Sequence, residues 1–227
     1  MQPLPNTVSL DWEKQYRIIP SVFPPINFFE NLVDPLHMEE AFYIESLTND
    51  RLREEIGDIS LVAKQDRICG EGASIIMAAF THIGKPSRFT DGQYGVYYAA
   101  NSLKTAVNET VFHREKFLSY TREEPGSIDM RVYIGTILKP MHDIRGPLYK
   151  QLHHPIDYTP SQIAAASLRA LNSWGVVYNS VRDQGGECIG AFRPPSISIP
   201  RQSKHLVYIW DGNKIADIYE KSILSFT

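Results

Sequence analysis

The chain has 227 residues, 43% hydrophobic and 22% charged, with a formal net charge of -3 at pH 7 and a pI near 6.2. That length suits a single domain with a substantial core, and a near-neutral balance without a Lys/Arg run argues against direct nucleic-acid binding. Two cysteines, Cys69 and Cys188, make no disulfide framework; no Cys/His cluster has zinc spacing, and no apolar run is long enough to span a bilayer. The N-terminus lacks the basic start and apolar core of a signal peptide, so a cytoplasmic protein with reduced thiols is expected.

Residues 1–35 are rich in proline and aromatics, so regular structure is not expected there, although the aromatics must pack on something. The pattern turns helical over residues 38–53 and again over 71–83, where Ile75, Ile76, Met77, Ala79 and Phe80 would be buried. Residues 95–100 read as a strand. Asn101-Ser102 then caps a helix over 103–120 that carries Ala106, Val107 and Glu109. Alternation over 131–138 predicts a half-buried strand. Thr159-Pro160-Ser161 starts another helix, ended by Gly175, and residues 176–178 return to strand. Gly185-Gly186 turns the chain into residues 188–192, and a hairpin over 206–210 and 214–219 turns at Asp211-Gly212-Asn213. Strands and helices interleave irregularly, which predicts an α+β fold.

Six positions could carry chemistry. Arg88 precedes the bends at Gly92 and Gly95; it is either a bidentate clamp on a phosphate or ribose oxygen, or a surface arginine beside a turn. Tyr98, at the strand end, offers a flat ring as a platform. Glu109 lies among Ala106, Val107, Thr110 and Val111, so it is either exposed at an edge or buried with a purpose. Ser180 follows the strand 176–178 and could bind a ligand amide or phosphate, or make a local turn bond. Arg17, within Tyr16-Arg17-Ile18, could reach a phosphate or form a structural salt bridge. His113, four residues after Glu109, could bond to it or be an ordinary surface or core histidine. No Gly-x-Ser-x-Gly elbow, phosphate loop or metal set is present.

Taken in order, these segments resemble the RES-domain proteins, toxins of RES–Xre toxin–antitoxin pairs. The carrying segments are Tyr16-Arg17-Ile18, Arg88-Phe89 with Gly92, Val96-Tyr97-Tyr98-Ala99-Ala100, Thr105-Ala106-Val107-Asn108-Glu109 and Trp174 through Arg182, followed by Gly186-Glu187-Cys188-Ile189-Gly190-Ala191-Phe192. The resemblance implies an ADP-ribosyltransferase-like fold with a compact split mixed sheet, flanking helices and an NAD cleft. It also implies NAD as substrate without a metal. The nicotinamide–ribose bond would be cleaved by hydrolysis or phosphorolysis, or ADP-ribose transferred to a protein. Under it Arg88, Tyr98, Glu109 and Ser180 become catalytic residues, and Arg88, Tyr98, Arg17 and Ser180 also hold NAD. An Xre-type helix-turn-helix antitoxin covering the cleft, in a hetero-oligomeric complex, is the implied partner. A decayed, non-catalytic binding module is a further alternative. About seventy residues separate Arg17 from Arg88, which marks residues 20–86 of a single 1–227 domain as a helical insertion within or before the core.

Overall fold

The computed structural model describes residues 3–21, 34–46, 56–121 and 123–222. Among them nine strands form one sheet in the order β1-β5-β6-β7-β3-β2-β4-β8-β9. The strands are β1 (Thr7–Val8), β2 (Gln15–Pro20), β3 (Tyr97–Ala100), β4 (Gly126–Gly135), β5 (Met141–Asp143), β6 (Gly175–Asn179), β7 (Glu187–Ala191), β8 (Arg201–Trp210) and β9 (Ile215–Lys221). Neighbours are antiparallel except for β5 and β6, which run parallel. The helices are α1 (Met38–Ser46), α2 (Ala73–Thr81), α3 (Leu103–Thr121) and α4 (Thr159–Ala170).

This is the mixed α+β architecture expected, a large mixed sheet with flanking helices, and the sheet is split at one place. β2 shares six register pairs with β4, from Gln15↔Gly135 to Pro20↔Met130, but only Tyr16↔Ala100 with β3. Beyond that pair the two strands part. Backbone groups at the opening need other partners, because an unpaired buried carbonyl or amide is costly. The Tyr98 carbonyl receives one from Arg17, whose Nη1 donates to it at 3.0 Å.

Side chains alternate across a strand, so each strand feeds two layers. One layer holds Phe89, Val96, Ala106, Val132, Leu168, Val176 and Tyr178, between the sheet and the helices α3 and α4. The other holds Ala73, Ile76, Met77, Tyr97, Val177 and Ile189, where α2 covers the opposite face. The contact with α2 is close at Gly95. A Cβ there would lie 2.1 Å from the Ala79 carbonyl oxygen, so only glycine fits.

The expected helices at 103–120 and from Thr159 are observed, as is the 188–192 strand, which forms as Glu187–Ala191. The expected 71–83 helix is Ala73–Thr81, and α1 covers the first part of the expected 38–53 helix; residues 47–53 lie outside the described residues. The terminal hairpin forms about Asp211, whose backbone N–H donates to the Lys214 carbonyl. β4 begins five residues before the expected strand at 131, as Gly126–Gly135. Residues 1–35 were expected to lack regular structure, and here the structure differs, since they supply β1 and the central strand β2. Pro20 is harmless because it ends β2, where a missing N–H costs nothing to the ladder.

Candidate functional site

The split opens onto a cleft of about 290 Å³, lined by Arg17, Arg88, Tyr98, Glu109, His113 and Tyr178, among others. α3 supplies one wall. Ala106, Glu109, Thr110 and His113 recur at helical spacing on a single stripe that faces it. The stripe sits over β3 because Ala106 is small and buried, which lets the helix approach the sheet.

Glu109 is held by Ser180, whose hydroxyl donates to Glu109 Oε1 at 2.6 Å. The same Ser180 oxygen accepts the backbone N–H groups of Arg182 at 3.1 Å and Asp183 at 3.0 Å. With both lone pairs taken, the only proton of Ser180 points at the carboxylate. The loop behind is pinned to α3. Asp183, which is buried, accepts from Thr105 Oγ1 at 2.7 Å and pairs with Lys104 at 2.7 Å. Bonds from Lys104 and Thr105 hold the Asp183 carboxyl below its ordinary range. Gly186 permits the contact, since a Cβ there would lie 2.5 Å from Thr105 Oγ1. Ser180 thus makes the local turn bonds and faces the candidate carboxylate at once.

Arg88 is buried, with no ion pair among the described residues. Its Nη1 donates to the carbonyls of Leu152 at 3.2 Å and His154 at 3.1 Å, and its guanidinium lies 4.6 Å over the Tyr158 ring. Its backbone is also tied, since Ser161 Oγ donates to the Arg88 carbonyl at 2.6 Å. It is not a surface arginine beside a turn. It is a buried cation with neutral partners, facing the same cleft as a carboxylate.

The Tyr98 hydroxyl accepts the Phe89 N–H at 3.0 Å and lies 2.7 Å from Ser87 Oγ. Burial pushes its pKa up to about 12 against those hydrogen bonds, so the group is a neutral ring with its polar end already used. Arg17 approaches from the other side of the opening. Besides the Tyr98 carbonyl it covers the Tyr97 ring at 4.3 Å, and its Nε is buried without a hydrogen-bond partner. Desolvation lowers its pKa, with Tyr97 acting in the opposite sense. It forms no salt bridge among the described residues.

The sequence reading did not single out Tyr178 or Cys188, which also line the cleft. The signal was present: residues 178 and 180 differ by two, the strand period that puts both on one face. Burial, then the charge of Glu109, pushes the Cys188 thiol up, so it is an unreactive wall. His113 keeps a solvent-exposed edge, yet its pKa is lowered to about 4, first by desolvation and then by Arg182 and Arg88. It is a neutral imidazole near pH 7, and no hydrogen bond joins it to Glu109. Among the described residues no group of three His, Cys, Asp or Glu side chains could hold a metal ion, and no helix is long and apolar enough to cross a membrane.

Comparison with known proteins gives three findings. Residues 64–211 match the family model described as the RES domain. The uncharacterized protein y4oC of Sinorhizobium fredii is 30% identical over 206 residues, covering 90% of this chain and 86% of that one. The crystal structure of the M. tuberculosis MbcT–MbcA toxin–antitoxin complex superposes with a TM-score of 0.42 at 10% identity, covering 92% of this chain and 87% of that one.

Proposed function

The chain belongs to the RES-domain family, and from that premise we propose that it consumes NAD by cleaving the nicotinamide–ribose bond, as a toxin held in check by an antitoxin. The observation that carries this reading is the Ser180–Glu109 hydrogen bond of 2.6 Å, set in a cleft that also presents Arg88 and the Tyr98 ring. Departure of nicotinamide builds positive charge on the ribose, as in glycoside cleavage. A fixed carboxylate next to that charge lowers the barrier without having to reorganise. Glu109 is assigned that role, with Oε1 held by Ser180 and Oε2 left for a ribose hydroxyl. Ser180 acts as a positioning residue, since its proton is already committed. Arg88 is the anchor for the pyrophosphate, being a buried cation without a carboxylate of its own. The Tyr98 ring is the platform for nicotinamide, its hydroxyl being already engaged by Ser87 and the Phe89 N–H. Arg17, assigned to NAD binding beside Arg88, donates to the Tyr98 carbonyl where the sheet splits.

NAD is the substrate in this scheme and no metal takes part, so turnover should survive a chelator. The partner in this scheme is an Xre-type antitoxin that covers the cleft. Residues 20–86, most of which precede the family match, are assigned as a helical insertion within or before the core of a single 1–227 domain.

The test is mass spectrometry of the products after incubation with NAD, with and without phosphate, for the wild type and Glu109→Gln. Release of nicotinamide by the wild type, with loss in Glu109→Gln, is the expected result. The two phosphate arms separate hydrolysis from phosphorolysis. Equal NAD loss in both proteins sinks the assignment of Glu109. Label from NAD appearing on a protein band instead would move the reading to ADP-ribosyl transfer.

A further inference from the structure

The loop that carries Arg88 also walls a second cavity, of about 340 Å³, through Gln93 and Tyr94. Its other walls are Gln65 and Asp66, Arg169 in the last turn of α4, Asn172 just after that helix, and Arg193 beyond β7. The floor is apolar, with Phe80 and Phe192 both buried. The two arginines differ in a way that decides what the cavity can hold. Arg193 grips Asp66 with two bonds of 2.6 and 2.7 Å, so its charge is neutralised on the spot. Arg169 forms no ion pair among the described residues. Its guanidinium lies 3.7 Å over the Tyr94 ring, and it is half-buried. Arg169 is thus the cavity's unpaired cation, with the Asp91 carboxylate acting on it only from beyond contact distance.

At the mouth beside that cation stand three side-chain amides, Gln65, Gln93 and Asn172, which are solvent-exposed and make no protein hydrogen bond among the described residues. An amide both donates and accepts, which suits hydroxyl groups. Asn172 is placed there by a left-handed backbone, φ 58°, a conformation asparagine tolerates better than most residues. A guanidinium without a contacting carboxylate selects an oxyanion, and amides around it select a hydroxylated body. We propose that this cavity is a second binding site, separate from the cleft, for a small anionic sugar of the sugar-phosphate class. The site meets the cleft at one element. Tyr94 OH donates to the Phe89 carbonyl at 2.7 Å, and the Phe89 N–H is bonded to Tyr98. The proposal does not depend on NAD chemistry.

Calorimetric titration of the whole protein with ribose 5-phosphate tests it, with ribose and inorganic phosphate as separate arms. Binding with a Kd of about 1 mM or tighter is expected for ribose 5-phosphate, and at least about tenfold weaker binding for either part alone. Arg169→Gln should weaken ribose 5-phosphate by about tenfold or more. Ala63→Trp, at the exposed rim, should do the same by occlusion, and it decides the matter if Arg169→Gln does not fold. Arg88→Gln should leave the affinity within about twofold. No binding to the wild type, equal affinity in Ala63→Trp, loss in Arg88→Gln, or inorganic phosphate binding as tightly as the sugar phosphate would each overturn the proposal.

Discussion

Tyr97 and Tyr98 are consecutive residues of one strand and belong to opposite faces of the sheet. Tyr97 is fully buried under α2; its hydroxyl accepts from Gln15 Nε2 at 3.0 Å, and its ring packs in an apolar cluster with Ile76, Met77 and Ile189. Tyr98 faces the cleft. On the face behind the sheet the Tyr97 hydroxyl is taken up by Gln15, within an otherwise apolar cluster. The cleft face holds a cation, Arg88, and a carboxylate, Glu109, that do not neutralise each other although they line one opening. Keeping two such charges apart in a partly buried place costs stability, and folds retain that arrangement where a ligand uses it. If chemistry belongs to the cleft face and stability to the face under α2, single substitutions on the two faces should have separable effects.

The largest effect should come from Glu109→Gln. The shape and the Ser180 bond can persist while the charge is lost, so NAD turnover should fall by about 10²–10³. Thermal unfolding should change little, because Glu109 makes no ion pair among the described residues. The opposite-face counterpart is Ile76→Ala. Ile76 is fully buried in the cluster under α2, so about 2–5 kcal/mol of stability should be lost in denaturant titrations. Turnover per folded molecule should stay within about twofold. A collapse of turnover in folded Ile76→Ala would end the division between the faces.

Ser180→Ala should fall between these two. It removes a charge-assisted hydrogen bond to Glu109 and leaves two backbone N–H groups without their acceptor. A loss of about 1–2 kcal/mol in stability and about tenfold in turnover is expected, carried by kcat rather than KM. A rise in KM alone would show that Ser180 touches the substrate directly instead of orienting Glu109.

Much of this division was legible in the chain. The α3 stripe of Ala106, Glu109 and His113 follows from a period of 3.6, and the Ser180 turn follows from its place after a short apolar strand and before Gly185-Gly186. Family order tied those distant fragments together, since no local pattern says that Ser180 reaches Glu109 across seventy-one residues. β2 was not legible, because Pro20 and the aromatics around it read as irregular chain. It forms because β4 offers a six-residue partner, a tertiary effect absent from the local sequence. The partners of Arg88 were hidden for the same reason: they are backbone carbonyls of residues 152 and 154, and any sequence would supply carbonyls.

The smallest effect separates the faces by acid. His113 and His153 both lie on the cleft side, and burial lowers the pKa of each, with Arg88 adding to the effect. His153 is fixed as the neutral form with its proton on Nδ1: that nitrogen faces the Tyr149 carbonyl at 3.1 Å, while Nε2 accepts the Asn179 N–H at 3.2 Å. His142, on β5, is lowered chiefly by desolvation as well. A histidine whose folded pKa is depressed binds fewer protons folded than unfolded. Its stabilisation is complete above the unfolded value of about 6.5 and is lost as pH falls toward the folded value, about 4 for His113. Depressed carboxylates such as Asp183 and Asp143 act in the same direction, but only once pH falls to about 4. Between pH 6.5 and 4.5 the slope therefore belongs to the histidines. Tm should fall by about 3 °C across that window, a modest drop because His113 is partly screened by solvent. His113→Gln and His153→Gln should each flatten the curve, while Ile76→Ala should lower it without changing its slope. A Tm that rises as pH falls through this window would mean that these imidazoles are charged in the folded protein, and the cleft would then not hold two cations beside neutral rings.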